Sequence, residues 1–175
     1  MLVLLVAGTA CRRQQQVEAP TPVPATPVPP PLPPPPPPPG EDPNVAIERA
    51  RAALLNTIGV PVYFDFDRAE IRSSEEAKLN DKGTILQQHP QVRIRIEGHA
   101  DERGSDEYNM VLGNRRALSA RAYLERRGID GARIEVISYG EERPADPRSN
   151  EEAWALNRRA EFVVIAGRET LGVPR

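Results

Sequence analysis

The 175-residue chain carries 23 Lys and Arg against 25 Asp and Glu, a net charge of −2, so no basic surplus advertises a nucleic-acid partner. Twenty residues are Pro, and no apolar run approaches the roughly 18 residues that a membrane-spanning helix needs. A single cysteine, Cys11, excludes an internal disulfide and any zinc site built on two thiolates.

Residues 1–10 are a short apolar run ending in small residues directly before Cys11. That arrangement reads as the end of a secretory signal with a lipoprotein-type cleavage site, although Gly8 stands where such sites usually carry Leu. Cys11 would then be the acylated first residue, and its lipid would anchor the protein to a membrane without spanning it. Residues 11–40 hold this Cys and a linker with a seven-proline run, Pro33–Pro39. Such a linker is expected to be disordered and biased to polyproline II, at about 3.1 Å per residue, so Pro20–Pro39 would reach roughly 60 Å.

Residues 41–59 follow as a short helix, with Ala46, Ile47, Ala50, Leu54 and Ile58 at helical spacing and Gly59 at its end. Val60–Phe66 alternates as a strand, with Val60, Val62, Phe64 and Phe66 on one face. Ser73–Glu76 has capping-box spacing and opens a helix to His89-Pro90. Val92, Ile94 and Ile96 mark a second strand, stopped by Gly98. Ser105 caps a long helix whose apolar stripe is read as Tyr108, Val111, Leu118 and Ala122, closed by Gly128. Ile134, Val136 and Tyr139 mark a third strand, and Glu161–Ile165 a fourth, after a short helix around Asn150–Leu156. Strands separated by helical crossovers imply some parallel pairing with helices on one face: an α+β, two-layer α/β sandwich with the order βαβαββ over residues 60–166. Residues 167–175 are left as a C-terminal tail.

The densest polar cluster is Glu97-Gly98-His99-Ala100-Asp101-Glu102-Arg103-Gly104-Ser105, a loop between a strand and the N-terminus of a helix. Helix N-termini favour anions. Asn109, Leu112 and Arg116, at i, i+3 and i+7, share one stripe behind it. An Asp101 carboxylate and an Arg116 guanidinium across one pocket suit a zwitterion, ammonium on the first and carboxylate on the second. Both positions are expected to be partly exposed, with Arg115 turned away to a structural contact. A hydrolase would instead use Glu97, His99 and Asp101 as a metal or acid–base centre. A catalytic zinc normally takes three protein ligands; His99 and Asp101 share one loop and His89 stands beside Pro90, so no enzyme, cofactor or metal is expected.

Six motifs occur in order: Val62–Asp67, Glu97–Gly104, Glu107-Tyr108-Asn109, Leu112–Ala117, Ser138-Tyr139-Gly140 and Asn157–Ala160. Together they resemble the OmpA-like peptidoglycan-binding domain family, and within it the branch of peptidoglycan-associated lipoproteins. The resemblance implies a βαβαββ fold and a pocket for the meso-diaminopimelate of peptidoglycan stem peptides. It places the ligand pair on Asp101 and Arg116, with further contacts at the Phe64–Asp67 strand end (Phe64 and Asp65), Ala100, Asn109, Leu112 and Arg158. It also implies TolB as a partner within the Tol-Pal system and, because Arg12 follows Cys11, an outer-membrane anchor. A lipoprotein with the same domain but no Tol link is the alternative.

Overall fold

A computed structural model describes residues 42–173; the signal-like segment, Cys11 and the proline-rich linker lie outside the described residues. Helix α1 (Pro43–Gly59) is capped by Asp42, whose carboxylate accepts from the Asn44 N–H at 2.8 Å, and Pro43 sits in the first turn, where a helix can spare an N–H. Strand β1 (Val62–Tyr63), α2 (Ser73–Gln88), β2 (Arg93–His99), α3 (Asp106–Arg126), β3 (Ile134–Gly140), α4 (Glu151–Asn157) and β4 (Arg159–Ala166) follow. The sheet order is β1-β4-β2-β3, with β2 and β3 parallel and β4 antiparallel to both β1 and β2. Helix α3 is the crossover that parallel pairing of β2 and β3 requires. The expected two-layer α+β sandwich is present: Ile94, Ile96 and Phe162 from the sheet share one core with Ile58 of α1, Leu79 of α2 and Leu124 of α3.

The strand expected over Val60–Phe66 enters the ladder at Val62 and Tyr63 alone. Its neighbour β4 begins at Arg159, opposite Tyr63, so only one further bond forms, from the Phe64 N–H to the Arg158 carbonyl at 2.9 Å. The chain then turns away through Asp67, at φ +53°, leaving Val60 and Phe66 exposed. The Ser73–Glu76 capping box does not form. Glu75 is buried, accepting from the Tyr63 N–H at 3.0 Å and pairing with Lys78 at 2.7 Å, and so ties α2 to β1.

Gly98 does not stop β2, which continues to His99. A Cβ at Gly98 would lie 1.9 Å from the Gly113 carbonyl oxygen of α3, and one at Gly113 would lie 2.4 Å from Ser138 Oγ of β3. Backbone therefore packs on backbone where α3 crosses the strands. The stripe read as α3's inner face points outward: Tyr108, Val111 and Leu118 are exposed, while Asn109, Leu112, Gly113, Arg116 and Ala117 are buried. Small residues let the helix approach closely, and hydrophobicity does not report which face is inside.

The C-terminal segment folds back on α1. Leu171 is fully buried in the core, and Arg51 donates to the carbonyls of Leu171 and Glu169 at 3.2 and 2.9 Å. Gly172, at φ +75°, lies where a Cβ would fall 2.7 Å from the Arg51 nitrogen.

Candidate functional site

A cleft of about 270 Å³ opens at the C-terminal end of β2, lined by Phe66, Asp67, Asp101, Arg103, Gly104, Tyr108, Asn109, Leu112 and Arg116. Three pieces of chain meet there: the β1–α2 connection, the β2–α3 loop and the first turns of α3. Ser105 starts α3 by accepting from the Tyr108 N–H, and Asn109 is buried one turn in. The Asn109 side-chain amide donates to the Arg103 carbonyl at 3.3 Å and to Glu141, pinning the loop to the chain after β3. Tyr108 donates its hydroxyl to Asp67, closing one side of the rim.

Asp101 and Arg116 both line the cleft, but neither is partly exposed as expected: Asp101 is 4% and Arg116 0% accessible. The Asp101 carboxylate accepts from the Arg103 backbone N–H (3.2 Å), from Arg103 Nε (3.2 Å) and Nη2 (2.7 Å), and from Arg158 Nη1 (3.2 Å). Burial pushes its pKa up, but the bonds from Arg103 and Arg158 outweigh that and hold it below the ordinary value. Those four bonds fill the acceptor sites a carboxylate offers.

Arg116 does not pair with Asp101. Its guanidinium donates to three main-chain carbonyls, of Arg68 (2.8 Å), His99 (2.8 Å) and Asp65 (3.1 Å), above the Phe64 ring at 5.4 Å. Burial lowers its pKa to about 10, opposed by the nearby Asp101 charge, so it remains a cation at neutral pH. Two of its five N–H groups make no hydrogen bond among the described residues. The structural role expected for Arg115 thus falls to Arg116, and Arg115 is exposed.

The other anticipated site residues divide. Asn109 and Leu112 line the cleft. Phe64 and Arg158 lie behind it, Phe64 beneath Arg116 and Arg158 bridging Asp101, Glu151 and the Phe64 carbonyl. Ala100 is buried and fixed by its N–H to the Gly140 carbonyl at 2.7 Å. Asp65 is outside: its side chain faces Arg72 at 3.6 Å and lines a neighbouring surface pocket.

Arg103 was not anticipated. Its guanidinium is sandwiched between Phe66 and Trp154, 4.1 and 4.2 Å from the ring centres, and covers Asp101. Asp101 sits two residues before the Arg103 N–H it binds, the spacing of an Asx turn, which is a local signal that could have found it. The hydrolase grouping comes apart, because Asp101 lines the cleft whereas His99 lies by Glu97, Glu161 and Tyr139.

A β-loop-helix cleft of this kind on a mixed four-stranded sheet agrees with the family comparison: the OmpA family model matches residues 63–158, and the chain belongs to that family. Among individual proteins it is similar to the peptidoglycan-associated lipoprotein of Brucella melitensis, 44% identical over 107 residues, 61% of this chain and 64% of that protein. The peptidoglycan-associated lipoprotein of Pseudomonas aeruginosa is 41% identical over 100 residues, 57% of this chain and 59% of that protein. The crystal structure of the peptidoglycan-associated lipoprotein from Burkholderia pseudomallei matches with a TM-score of 0.59 at 41% identity, covering 59% of this chain and 88% of that one. The chain spans less than two thirds of the length of these two sequence relatives. All three are named as peptidoglycan-associated lipoproteins.

Proposed function

We propose that this protein is a peptidoglycan-binding lipoprotein that holds the outer membrane to the cell wall. In this reading residues 1–10 direct export, lipid on Cys11 anchors the chain at the periplasmic face of the outer membrane, and residues 12–40 give reach. The folded domain binds the meso-diaminopimelate of uncrosslinked stem peptides, and TolB docks on it as part of the Tol-Pal system in cell division and envelope integrity. The observation that carries the binding proposal is one cleft lined by both a buried carboxylate, Asp101, and a buried guanidinium with N–H groups to spare, Arg116.

The ligand's ammonium would take over at Asp101 the bonds that the Arg103 side chain now makes, and its carboxylate would use the remaining Arg116 N–H groups. Titration calorimetry with soluble stem peptides tests this. Native protein should bind the diaminopimelate stem at least about tenfold more tightly than a stem ending in Lys, which lacks the carboxylate, the loss expected for one charge-assisted bond. Amidation of that carboxylate should have the same effect, and Asp101→Asn should weaken binding of both stems. Equal affinity for the three stems, or undiminished binding by Asp101→Asn in a folded sample, would place the site elsewhere. A pulldown with TolB separates the Tol-linked reading from a lipoprotein with the same domain and no Tol link. Intact mass of the membrane fraction checks acylated Cys11.

A further inference from the structure

On the sheet face opposite the helices, β2 and β4 set Glu97 directly across from Glu161. Like charges at facing positions oppose strand pairing. Two residues on from Glu97, His99 is 2% exposed, and neither ring nitrogen has a hydrogen-bond partner among the described residues. Leaving buried polar atoms unsatisfied is unfavourable, and native proteins seldom do so without a reason. One ligand atom from each of the three side chains lies within 4.8 Å of the others.

We propose that Glu97, His99 and Glu161 form a binding site for a divalent transition-metal ion, with zinc the best match to one imidazole and two carboxylates. Tetrahedral zinc, with bonds of about 2.0–2.1 Å, holds its ligand atoms roughly 3.4 Å apart, so the side chains need to close by little more than about 1 Å. The fourth position would be left to water or to an outside ligand. The ion would replace the Glu97–Glu161 repulsion with a bridge and give the imidazole a partner. Arg95 lies 3.7 Å from Glu97, and Arg159 donates to Glu161, so both carboxylates are held by neighbouring cations. The site is separate from the cleft, although the His99 carbonyl is one of the three that hold Arg116.

The test uses the full chain with Cys11→Ser, which removes its one thiol, after stripping with chelator. Titration with ZnCl2 should give one-to-one binding and raise the melting temperature, while MgCl2 at equal concentration should do neither. Glu97→Gln/Glu161→Gln keeps the side-chain shapes and relieves the repulsion but also removes the charges that Arg95 and the buried Arg159 pair with, so circular dichroism first establishes that it is folded. Its zinc affinity should fall roughly 100-fold or more, since losing even an outer partner of a ligand costs 10–100-fold. Zinc should also shift the His99 side-chain nitrogen resonances. No stoichiometric binding, undiminished affinity in the double variant, or an unmoved His99 resonance overturns the proposal.

Discussion

Arg116 combines two duties that normally fall to different residues. It lines the cleft and also holds the carbonyls of Asp65 and Arg68, in the β1–α2 connection, and of His99, at the end of β2. Arg116→Ala should therefore act on the fold before it acts on binding, leaving three carbonyls without their donor and a void over Phe64. A loss of at least about 3 kcal/mol is expected in urea denaturation, and a variant as stable as native protein would refute this role. Lys82 presents the opposite case, a buried cation with sparse compensation. It is fully buried, donates to the Thr57 carbonyl at 3.1 Å and lies 4.8 Å from the Phe162 ring, and burial lowers its pKa from 10.5 to about 8. Between pH 8 and 10.5 the unfolded chain keeps a proton that the fold has released, so stability contributed through this group rises with pH across that window. Below pH 8 the fold bears the full penalty. Lys82→Met should stabilise the protein by about 1–2 kcal/mol at pH 7, and the gain should shrink by pH 10. A gain that does not change with pH would rule out titration of Lys82 as its cause.

At the level of elements, the contact between α3 and β2 sets the geometry of the cleft. With no Cβ at Gly98 or Gly113, the α3 backbone reaches the strand, and Asn109 and Arg116 come to the end of β2. Gly98→Ala puts a methyl into a carbonyl and should destabilise by on the order of 3 kcal/mol, the upper part of the range for overpacking. It should also weaken stem binding, which calorimetry on the folded fraction would reveal; unchanged stability and affinity would contradict the close approach. The same contact explains what could be read in advance. Asp101, Asn109, Leu112 and Arg116 were placed together by a strand, a short loop and helical spacing, all local signals. The α3 face is misread because its buried side mixes Asn109, Gly113, Arg116 and Ala117 with Leu112 and Leu124, while Tyr108, Val111 and Leu118 face solvent. Phe66 and Trp154 reach Arg103 from distant segments, and Glu161 meets Glu97 only through the β2–β4 register. No local pattern in the chain reports such contacts.

For the molecule as a whole, the fastening of the C-terminal segment to α1 has a mechanical meaning. If lipid lies at one end and the cell wall is gripped at the cleft, load enters the folded domain through Asp42 and reaches α1 first. Arg51, bonded to the carbonyls of Glu169 and Leu171, then acts as a latch between the loaded helix and the body of the domain. When the latch yields, the 17 residues of α1 can pay out from about 1.5 Å to about 3.4 Å each, a gain of roughly 30 Å. The sheet and the cleft can remain folded during that step. Optical-tweezer pulling between residue 42 and a handle at the cleft should show this short extension before the main unfolding event. Deleting residues 168–175 should lower the force at which it occurs, and a single unfolding step with no early extension would exclude the latch. In a chain so loaded, such a helix would be a yielding link, lengthening under strain while the cleft stays folded.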